Sequence, residues 1–229
     1  MARVGRGLAP TLLTLAALSA CDGQELTLAV EHQPTTTTVP CDELCALRRV
    51  SADGVPIDRR SYRASADCRV LYDDLDSNLD GEPDSCTTTT RDDDGRARHA
   101  MTDCACDGEP EFCMRYLYDH TYRLLVLYRR SCGQEHADTA QTYHYDGDGR
   151  LVRTQLRELA DDRVFQVTTF ELDADGRAVK EFVDANNDGV VDSVTAYSYD
   201  ALGRRAEAAV DVDVDRVPDL YMYYDYDCD

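Results

Sequence analysis

The chain has 229 residues and a formal net charge of −21, from 24 Lys and Arg against 45 Asp and Glu. This balance excludes nucleic acid as a natural partner, because phosphate binding needs clustered basic side chains, and it disfavours anionic membrane surfaces. A chain this acidic folds if its acids bind cations or if strands rich in Tyr and Val supply a core, and the sequence indicates both.

Residues 1–20 have the features of a targeting segment. Arg3 and Arg6 precede an apolar stretch, residues 8–18, that is too short to span a bilayer as a permanent helix. The segment ends in Leu-Ser-Ala-Cys, which resembles the lipobox of bacterial lipoproteins. The resemblance implies lipidation of Cys21 and anchoring in the bacterial cell envelope. We expect the outer membrane or the cell surface in preference to the inner membrane, although Asp22 after the lipidated Cys suggests inner-membrane retention by enterobacterial rules. The alternative is an ordinary secretory signal followed by a Cys by chance.

Two short segments separate the signal from the rest of the chain. Residues 21–40 are polar and end in a Thr/Pro-rich run, which predicts an extended tether. Residues 41–60 contain two cysteines, and Leu44 and Leu47 would share one face of a helix. We therefore expect a short helical N-terminal cap that covers the open end of the array that follows.

Residues 61–229 repeat with a period of 27. A Gly-Arg pair begins at Gly95, Gly149, Gly176 and Gly203. Each unit reads as a strand, a nine-residue acidic loop, a second strand and a tight turn back to Gly-Arg. Because strands joined by tight turns pair antiparallel, the period predicts an all-β fold of up to about fourteen strands: tandem β-hairpin repeats in a curled antiparallel meander sheet, not a parallel solenoid.

Aromatic residues recur at two positions of the second strand. Positions two apart in a strand share one face, so the side chains form rows from repeat to repeat. Core packing is favoured over an aromatic strip that stacks on a ligand. The first column is Tyr62, Thr89, Tyr116, Tyr143, Phe170, Tyr197 and Tyr224, and the second is Arg91, Tyr118, Tyr145, Leu172, Tyr199 and Tyr226.

The turns carry a family resemblance. Tyr-Asp-Gly-Asp-Gly-Arg at 145–150 and Tyr-Asp-Ala-Leu-Gly-Arg at 199–204 resemble the YD repeats of Rhs and teneurin-type proteins, over most of residues 62–229. The resemblance implies strand pairs in a large curling β-sheet, which in some members forms a shell around a toxin. This chain has a longer period, by an acidic loop, and ends on its last repeat. We therefore do not carry the shell function over.

The nine-residue loops have the spacing of a cation site. Residues 76–84 and 184–192 both read Asp-x-Asn-x-Asp-Gly-x-x-Asp, and 211–219 follows the same plan with Arg where Gly stands. Oxygen ligands at alternate positions, a Gly that lets the chain wrap and a final carboxylate suit a hard cation. The loop resembles the calcium hairpins of integrin-type FG-GAP repeats, which implies calcium between two strands.

The predicted calcium ligands fall in three loops, while 103–111 lacks one ligand and is expected to bind weakly or not at all. The alternative is a set of acidic, solvated turns without metal. The predicted ligands are Asp76, Asn78, Asp80, Asp84, Asp184, Asn186, Asp188, Asp192, Asp211, Asp213, Asp215 and Asp219.

Cysteines cluster in the middle of the array. Cys104, Cys106, Cys113 and Cys132 could bind zinc, but export and the lack of Cys-x-x-Cys spacing favour disulfides. Cys132 falls one repeat after position 105, so we predict that it pairs with Cys104 or Cys106. Cys86 and Cys113 occupy one column two strands apart, about 9.6 Å, which is too far for a bridge.

No catalytic constellation emerges. The five His are scattered, no Ser has a nucleophile-elbow context, and paired carboxylates are unavoidable among 45 acids. We expect no enzyme but an envelope-anchored, calcium-binding repeat lipoprotein: a structural or adhesive binding module, tethered to the membrane by lipid, for an unknown protein or glycan. The alternative is a toxin-system component related to Rhs proteins, or a secreted hydrolase.

Overall fold

The computed structural model describes residues 46–226. The signal, tether and lipidation predictions, residues 1–40, lie outside these residues. None of the described residues form a helix of the length and apolarity needed to cross a membrane. The described chain consists of fourteen strands, β1 to β14 in chain order: Ala46–Ser51, Pro56–Ala64, Val70–Asp76, Ser85–Arg91, Ala97–Asp103, Phe112–Tyr118, Leu124–Ser131, Thr139–Tyr145, Leu151–Glu158, Arg163–Leu172, Ala178–Asp184, Ser193–Tyr199, Arg205–Asp211 and Leu220–Asp225.

The strands form a closed antiparallel barrel. Each strand pairs with its neighbours in sequence, and β1 also pairs with β14 along six residues, from Ala46↔Asp225 to Ser51↔Leu220. The predicted antiparallel hairpin repeat is therefore confirmed, and the open meander is wrong. Closure gives every strand two partners, which removes the unpaired edges that an open sheet would present.

The predicted helical cap at 41–60 is wrong for the residues that the structure describes. Ala46–Ser51 is a strand with alternating burial, and Pro56–Ala64 is its hairpin partner. Leu47 and Arg49 are buried, while Arg48 between them is exposed. A period of two matches a barrel wall and not a helix face, so tertiary pairing with β14 overrides the local helical pattern.

The alternation separates the inner and outer faces of the wall. The buried face encloses an apolar cluster on one side of the barrel and charged groups on the other. Inside, Arg49 of β1 and Asp58 of β2 form a buried ion pair, and Arg60 binds Asp73 at 3.0 Å. The apolar cluster is Ala100, Met114, Leu127, Tyr143 and Leu151, with Tyr116, Leu124, Tyr145 and Phe170 packed against it.

Strands alternate in direction, so every second connection lies at the same end of the barrel. All connections of seven or eight residues lie at one of the two ends. We call this end the loop rim; its connections are 52–55, 77–84, 104–111, 132–138, 159–162, 185–192 and 212–219. The other end, the turn rim, is formed by 65–69, 92–96, 119–123, 146–150, 173–177 and 200–204.

One side-chain network repeats along the turn rim. Asp146 accepts hydrogen bonds from the backbone N of Arg150 at 2.9 Å and from its Nε at 2.7 Å, and the same pattern recurs at Asp173 and Asp200. Two of these Arg also reach an aromatic ring of the next repeat: Arg177 lies 4.9 Å from the centre of the Tyr199 ring, and Arg204 lies 4.3 Å from that of Tyr226. The Gly-Arg signature thus fixes both a turn and its contact with the neighbouring hairpin.

The acidic loop rim as a candidate calcium site

Four acidic loops of the loop rim share one conformation. In each, the first carboxylate accepts a hydrogen bond from the backbone N of position six; for Asp76 and Gly81 the distance is 3.0 Å, and for Asp184 and Gly189 it is 2.8 Å. The last carboxylate accepts from the backbone N of position two, as Asp192 does from Ala185 at 2.7 Å. The chain itself therefore wraps each loop around its acidic side chains.

Backbone dihedrals repeat as well. Positions four and six adopt positive φ in all four loops, with Asn187 at 56° and Gly189 at 88° in the loop 184–192. Gly at position six permits this wrap without steric cost. Loop 211–219 adopts the same wrap although Arg216 replaces Gly, with φ 77°.

Three of the predicted ligands converge in the last loop. One carboxylate oxygen from each of Asp211, Asp213 and Asp215 lies within 4.8 Å of the others. In loops 76–84 and 184–192 the middle ligand is an amide, Asn78 or Asn186, so fewer carboxylates meet there. The amide oxygens face inward too, since each accepts from the backbone N of position five, at 2.8 and 2.9 Å.

A buried oxygen in loop 76–84 fits a cation. Asp76 Oδ1 is shielded from solvent and accepts no hydrogen bond, whereas Oδ2 of the same group is bonded to Gly81. An unpaired buried carboxylate oxygen is costly, and coordination of a cation would satisfy it. The donor set of carboxylates and amides is that of a hard cation, so the residues fit calcium.

Electrostatics in the loop 76–84 also favour ionised ligands. The Ser77 hydroxyl, followed by the Ser77 backbone N–H, holds the pKa of Asp84 below its ordinary value. In loop 103–111, desolvation is the largest single effect on Asp103 and raises its pKa, but the backbone N–H groups of Gly108, Ala105 and Asp107 together outweigh it and lower the pKa. These loops are thus organised around negative charge.

Two disulfides secure the loops that have lost ligands. Cys86 is bonded to Cys106 and Cys113 to Cys132, with Cα–Cα distances of 5.3 and 5.1 Å. The prediction that Cys132 pairs with Cys104 or Cys106 is wrong. Strand β7 ends at Ser131 beside Phe112 of β6, so Cys132 emerges next to Cys113. The loop 104–111 is also close, since the backbone N of Cys132 donates to the carbonyl of Glu111 at 2.8 Å, but its Cys106 is bonded to Cys86 on the β4 side of the hairpin.

The other cysteine prediction agrees with the structure, since Cys86 and Cys113 are not bonded to each other. Cys68 and Cys104 are also disulfide-bonded, so each of the six cysteines between residues 46 and 226 is oxidised. Sequence reasoning missed the partners because column positions locate hairpins, while a bridge depends on which strand lies directly beside the loop.

Comparison with known proteins identifies the fold only. No protein-family model matches the chain, and the search of curated proteins returns no match. Among solved structures, a porin-like protein from Bacteroides uniformis is similar, with a TM-score of 0.51 and 11% identity over 82% of this chain and 98% of that one. At this identity the match shows a shared barrel fold.

Two further solved structures are similar at lower scores. A porin-like protein from Bacteroides vulgatus has a TM-score of 0.45 and 14% identity over 80% of this chain and 98% of that one. A chain of the TcdB2–TccC3–Cdc42 structure has a TM-score of 0.26 and 16% identity over 72% of this chain and 10% of that one. The match to the protein from Bacteroides uniformis thus supports a β-barrel, and the comparisons do not identify the YD-repeat family that the turns resemble.

Proposed function

We propose that this chain is a lipid-anchored protein of the bacterial cell envelope whose loop rim binds calcium and serves as a non-enzymatic binding surface. The observation that carries the proposal is the fourfold acidic loop, with converging carboxylates at Asp211, Asp213 and Asp215. Calcium would be held by the ligands predicted in loops 76–84, 184–192 and 211–219. It would neutralise carboxylates that otherwise repel one another.

The location combines the lipobox resemblance with the shape of the barrel. The neighbour from Bacteroides uniformis is described as porin-like, which raises the question of a membrane-spanning barrel here. Exposed charges on the outer wall argue against it: Arg59, Arg115, Arg153 and Lys180 lie within strands and face solvent. A lipid-facing Arg or Lys costs about 2–4 kcal/mol at the bilayer midplane.

Strand length supports the same conclusion. Most of the strands have seven residues, as in Ser85–Arg91 and Ala178–Asp184, whereas a tilted transmembrane strand needs about 9–11. We infer that the barrel stands outside the hydrocarbon core and is held to it by lipid on Cys21, with the tether between them.

The calcium proposal is tested by melting the mature chain with millimolar calcium and with chelator. Sites of this extracellular type bind at about 10⁻⁴ to 10⁻³ M, and a ligand that binds only the folded form stabilises it by mass action. We expect a higher melting temperature with calcium and several binding events by calorimetry.

Asp188→Ala should abolish the site at 184–192 and leave the one at 76–84 intact. Asp175→Ala is the matched control, because it removes an exposed Asp at the turn rim, far from the loops. Identical melting curves with and without calcium would show that the loops are only acidic turns.

The alternative functions, a toxin-system component or a secreted hydrolase, stay unsupported by any specific observation on the described residues. The proposed binding partner of the loop rim is a protein or a glycan.

A further inference from the structure

Exposed aliphatic side chains gather on one arc of the loop rim. Val190 and Val191 lie in the loop after β11, Val214 and Val217 in the loop after β13, and Val55 in the turn after β1. We call these five residues the valine patch. Val190, Val217 and Val55 are 64%, 62% and 60% exposed.

The three connections that carry the patch are consecutive around the barrel, because the hairpins β11–β12, β13–β14 and β1–β2 are neighbours. The backbone N of Ala52 donates to the carbonyl of Asp219 at 2.7 Å, which ties two of them together. The connection 185–192 belongs to the adjacent hairpin, two strands or about 9.6 Å further around the rim. Exposed apolar side chains gathered on one arc of a surface mark an interaction site.

The centre of the patch is held in an unfavourable conformation. Val214 has φ 62° and Arg216 has φ 77°, at positions where loop 184–192 has Asn187 and Gly189. A β-branched residue in the left-handed region is a steric outlier. Packing does not offset this cost, because Val214 is 38% exposed and Arg216 is exposed as well. The positive φ itself belongs to the wrap that the four loops share, as Leu79 shows with φ 63° at the same position. A β-branched side chain there adds a steric cost that Asn187 avoids, and it places an aliphatic group at the rim.

We propose that the valine patch docks a cationic protein segment that carries aliphatic side chains. The exposed acids Asp53, Asp188, Asp213 and Asp215 lie in the same three connections as the valines, and Arg216 is the one basic residue there. One calcium ion, with its charge of +2, would leave loop 184–192, with three Asp, at −1, and loop 211–219, with four Asp and one Arg, also at −1, so the surface stays acidic with calcium bound. Charge complementarity therefore selects a basic partner, while apolar contact holds it. A second copy of this chain and an anionic bilayer are both disfavoured by a net charge of −21.

The inference deepens the proposed binding role of the rim but stands on the valines and the strained backbone, so it is tested with and without calcium. The probe is a synthetic amphipathic peptide of Lys and Leu, compared with its Glu/Leu counterpart and with oligolysine, and titrated into the mature chain at 0.15 M salt. We expect the Lys/Leu peptide to bind, the Glu/Leu peptide not to bind and oligolysine to bind at least tenfold more weakly.

Variants then locate the surface. Val190→Ser combined with Val217→Ser should lower the affinity for the Lys/Leu peptide at least tenfold, while Leu202→Ser should leave that affinity unchanged. Leu202 is the matched control, because it is 76% exposed but lies at the turn rim. Val214→Asn should raise the melting temperature, since Asn tolerates positive φ. The same variant should bind the Lys/Leu peptide more weakly.

Several results would overturn the proposal. Unchanged peptide affinity in the valine variants, or equal binding of oligolysine, would mean that charge alone attracts the peptide. Valine-dependent self-association in sedimentation would assign the patch to a second copy, and valine-dependent binding to phosphatidylcholine vesicles would assign it to a lipid surface. If calcium does not shift the melting temperature while the peptide still binds in chelator, the calcium proposal is wrong and the docking proposal is not affected.

Discussion

The fold shifts the pKa of a carboxyl inside the barrel and that of a carboxyl in a turn in opposite directions. Glu181 is buried on the inner wall and accepts a hydrogen bond from the Tyr197 hydroxyl, with Arg205 nearby. Burial raises the pKa of Glu181 above its ordinary value despite these partners. In the turns, the backbone N–H of Arg150 lowers the pKa of Asp146.

The signs of the two effects differ. Because the folded-state pKa of Glu181 is raised, its stabilising contribution is complete below its unfolded pKa and is lost as the pH rises through the folded value. The lowered pKa of Asp146 gives stability that is present above its unfolded pKa and lost as the pH falls through the folded value. Lowering the pH should therefore remove the stabilising contribution of Asp146 at the turn rim. It should also remove the cost of the buried charge of Glu181 on the inner wall.

The variant Glu181→Gln tests the effect of this buried charge on stability. Gln keeps an acceptor for Tyr197 and removes the buried charge, so we expect a higher melting temperature than the wild type at pH 7 to 8. The difference should shrink as the pH falls toward about 4, where the wild-type carboxyl becomes neutral in both states. Glu171→Gln, on the exposed outer wall of the preceding strand β10, should show no such trend. A difference that grows in acid would contradict the assignment.

At the scale of elements, the repeat predicts hairpins well because their turns are chemically explicit. Asp146 and Gly149 fix one turn by side-chain hydrogen bonds and positive φ, and Asp184 and Gly189 fix one loop in the same way. These are local interactions, so a single sequence contains them. The segment after Cys45 misled the helix prediction because its pairing with β14 involves residues about 175 positions away.

Two disulfides involve loops that lack some of the predicted ligands. Loop 103–111 has Ala105 at the third position, and loop 130–138 has Cys132 there. Each of these loops is tied by its own cysteine, Cys106 or Cys132, to the neighbouring strand. The rim thus combines loops suited to a cation with loops closed by sulfur.

Removal of one bridge tests this arrangement. Cys86→Ala with Cys106→Ala should destabilise the chain by about 3 kcal/mol, because the bridge closes a segment with a separation of 20 residues. Chemical unfolding measures the loss. In the single variant Cys86→Ala, thiol labelling should find Cys106 free while peptide mapping finds Cys113 still bonded to Cys132. A label on Cys132 would show that the pairing is different.

At the scale of the whole molecule, closure is the feature that the sequence pattern leaves open. A 27-residue hairpin repeat is compatible with an open curl or a closed wall, because each strand pair is satisfied locally in both. Closure requires that Leu47 and Arg49 face inward and that β1 accepts β14 as a second partner. Nothing in the repeat period encodes that last pairing.

Closure also organises the charge. The net charge of −21 does not spread evenly, because the acids concentrate on the loop rim while Arg59, Arg115 and Lys180 lie on the outer wall. The loop rim and the side of the barrel therefore differ in their exposed charge. A formal charge taken from composition hides this separation.

A cross-link across the β1–β14 seam tests the barrel directly. Arg48 and Tyr223 are register partners, so Arg48→Cys with Tyr223→Cys should place the Cα atoms at about 4.5–5.5 Å, within disulfide range. The matched control is Arg48→Cys with Glu207→Cys, because Glu207 pairs with Tyr223 from the far side, about 9.6 Å from β1. Peptide mapping without reduction should find the 48–223 bridge and no 48–207 bridge. The bridge would also raise the free energy of unfolding by about 4–5 kcal/mol, since it closes most of the chain. In an open meander β1 and β14 are opposite edges, and failure of the 48–223 bridge to form in the folded protein would restore that architecture.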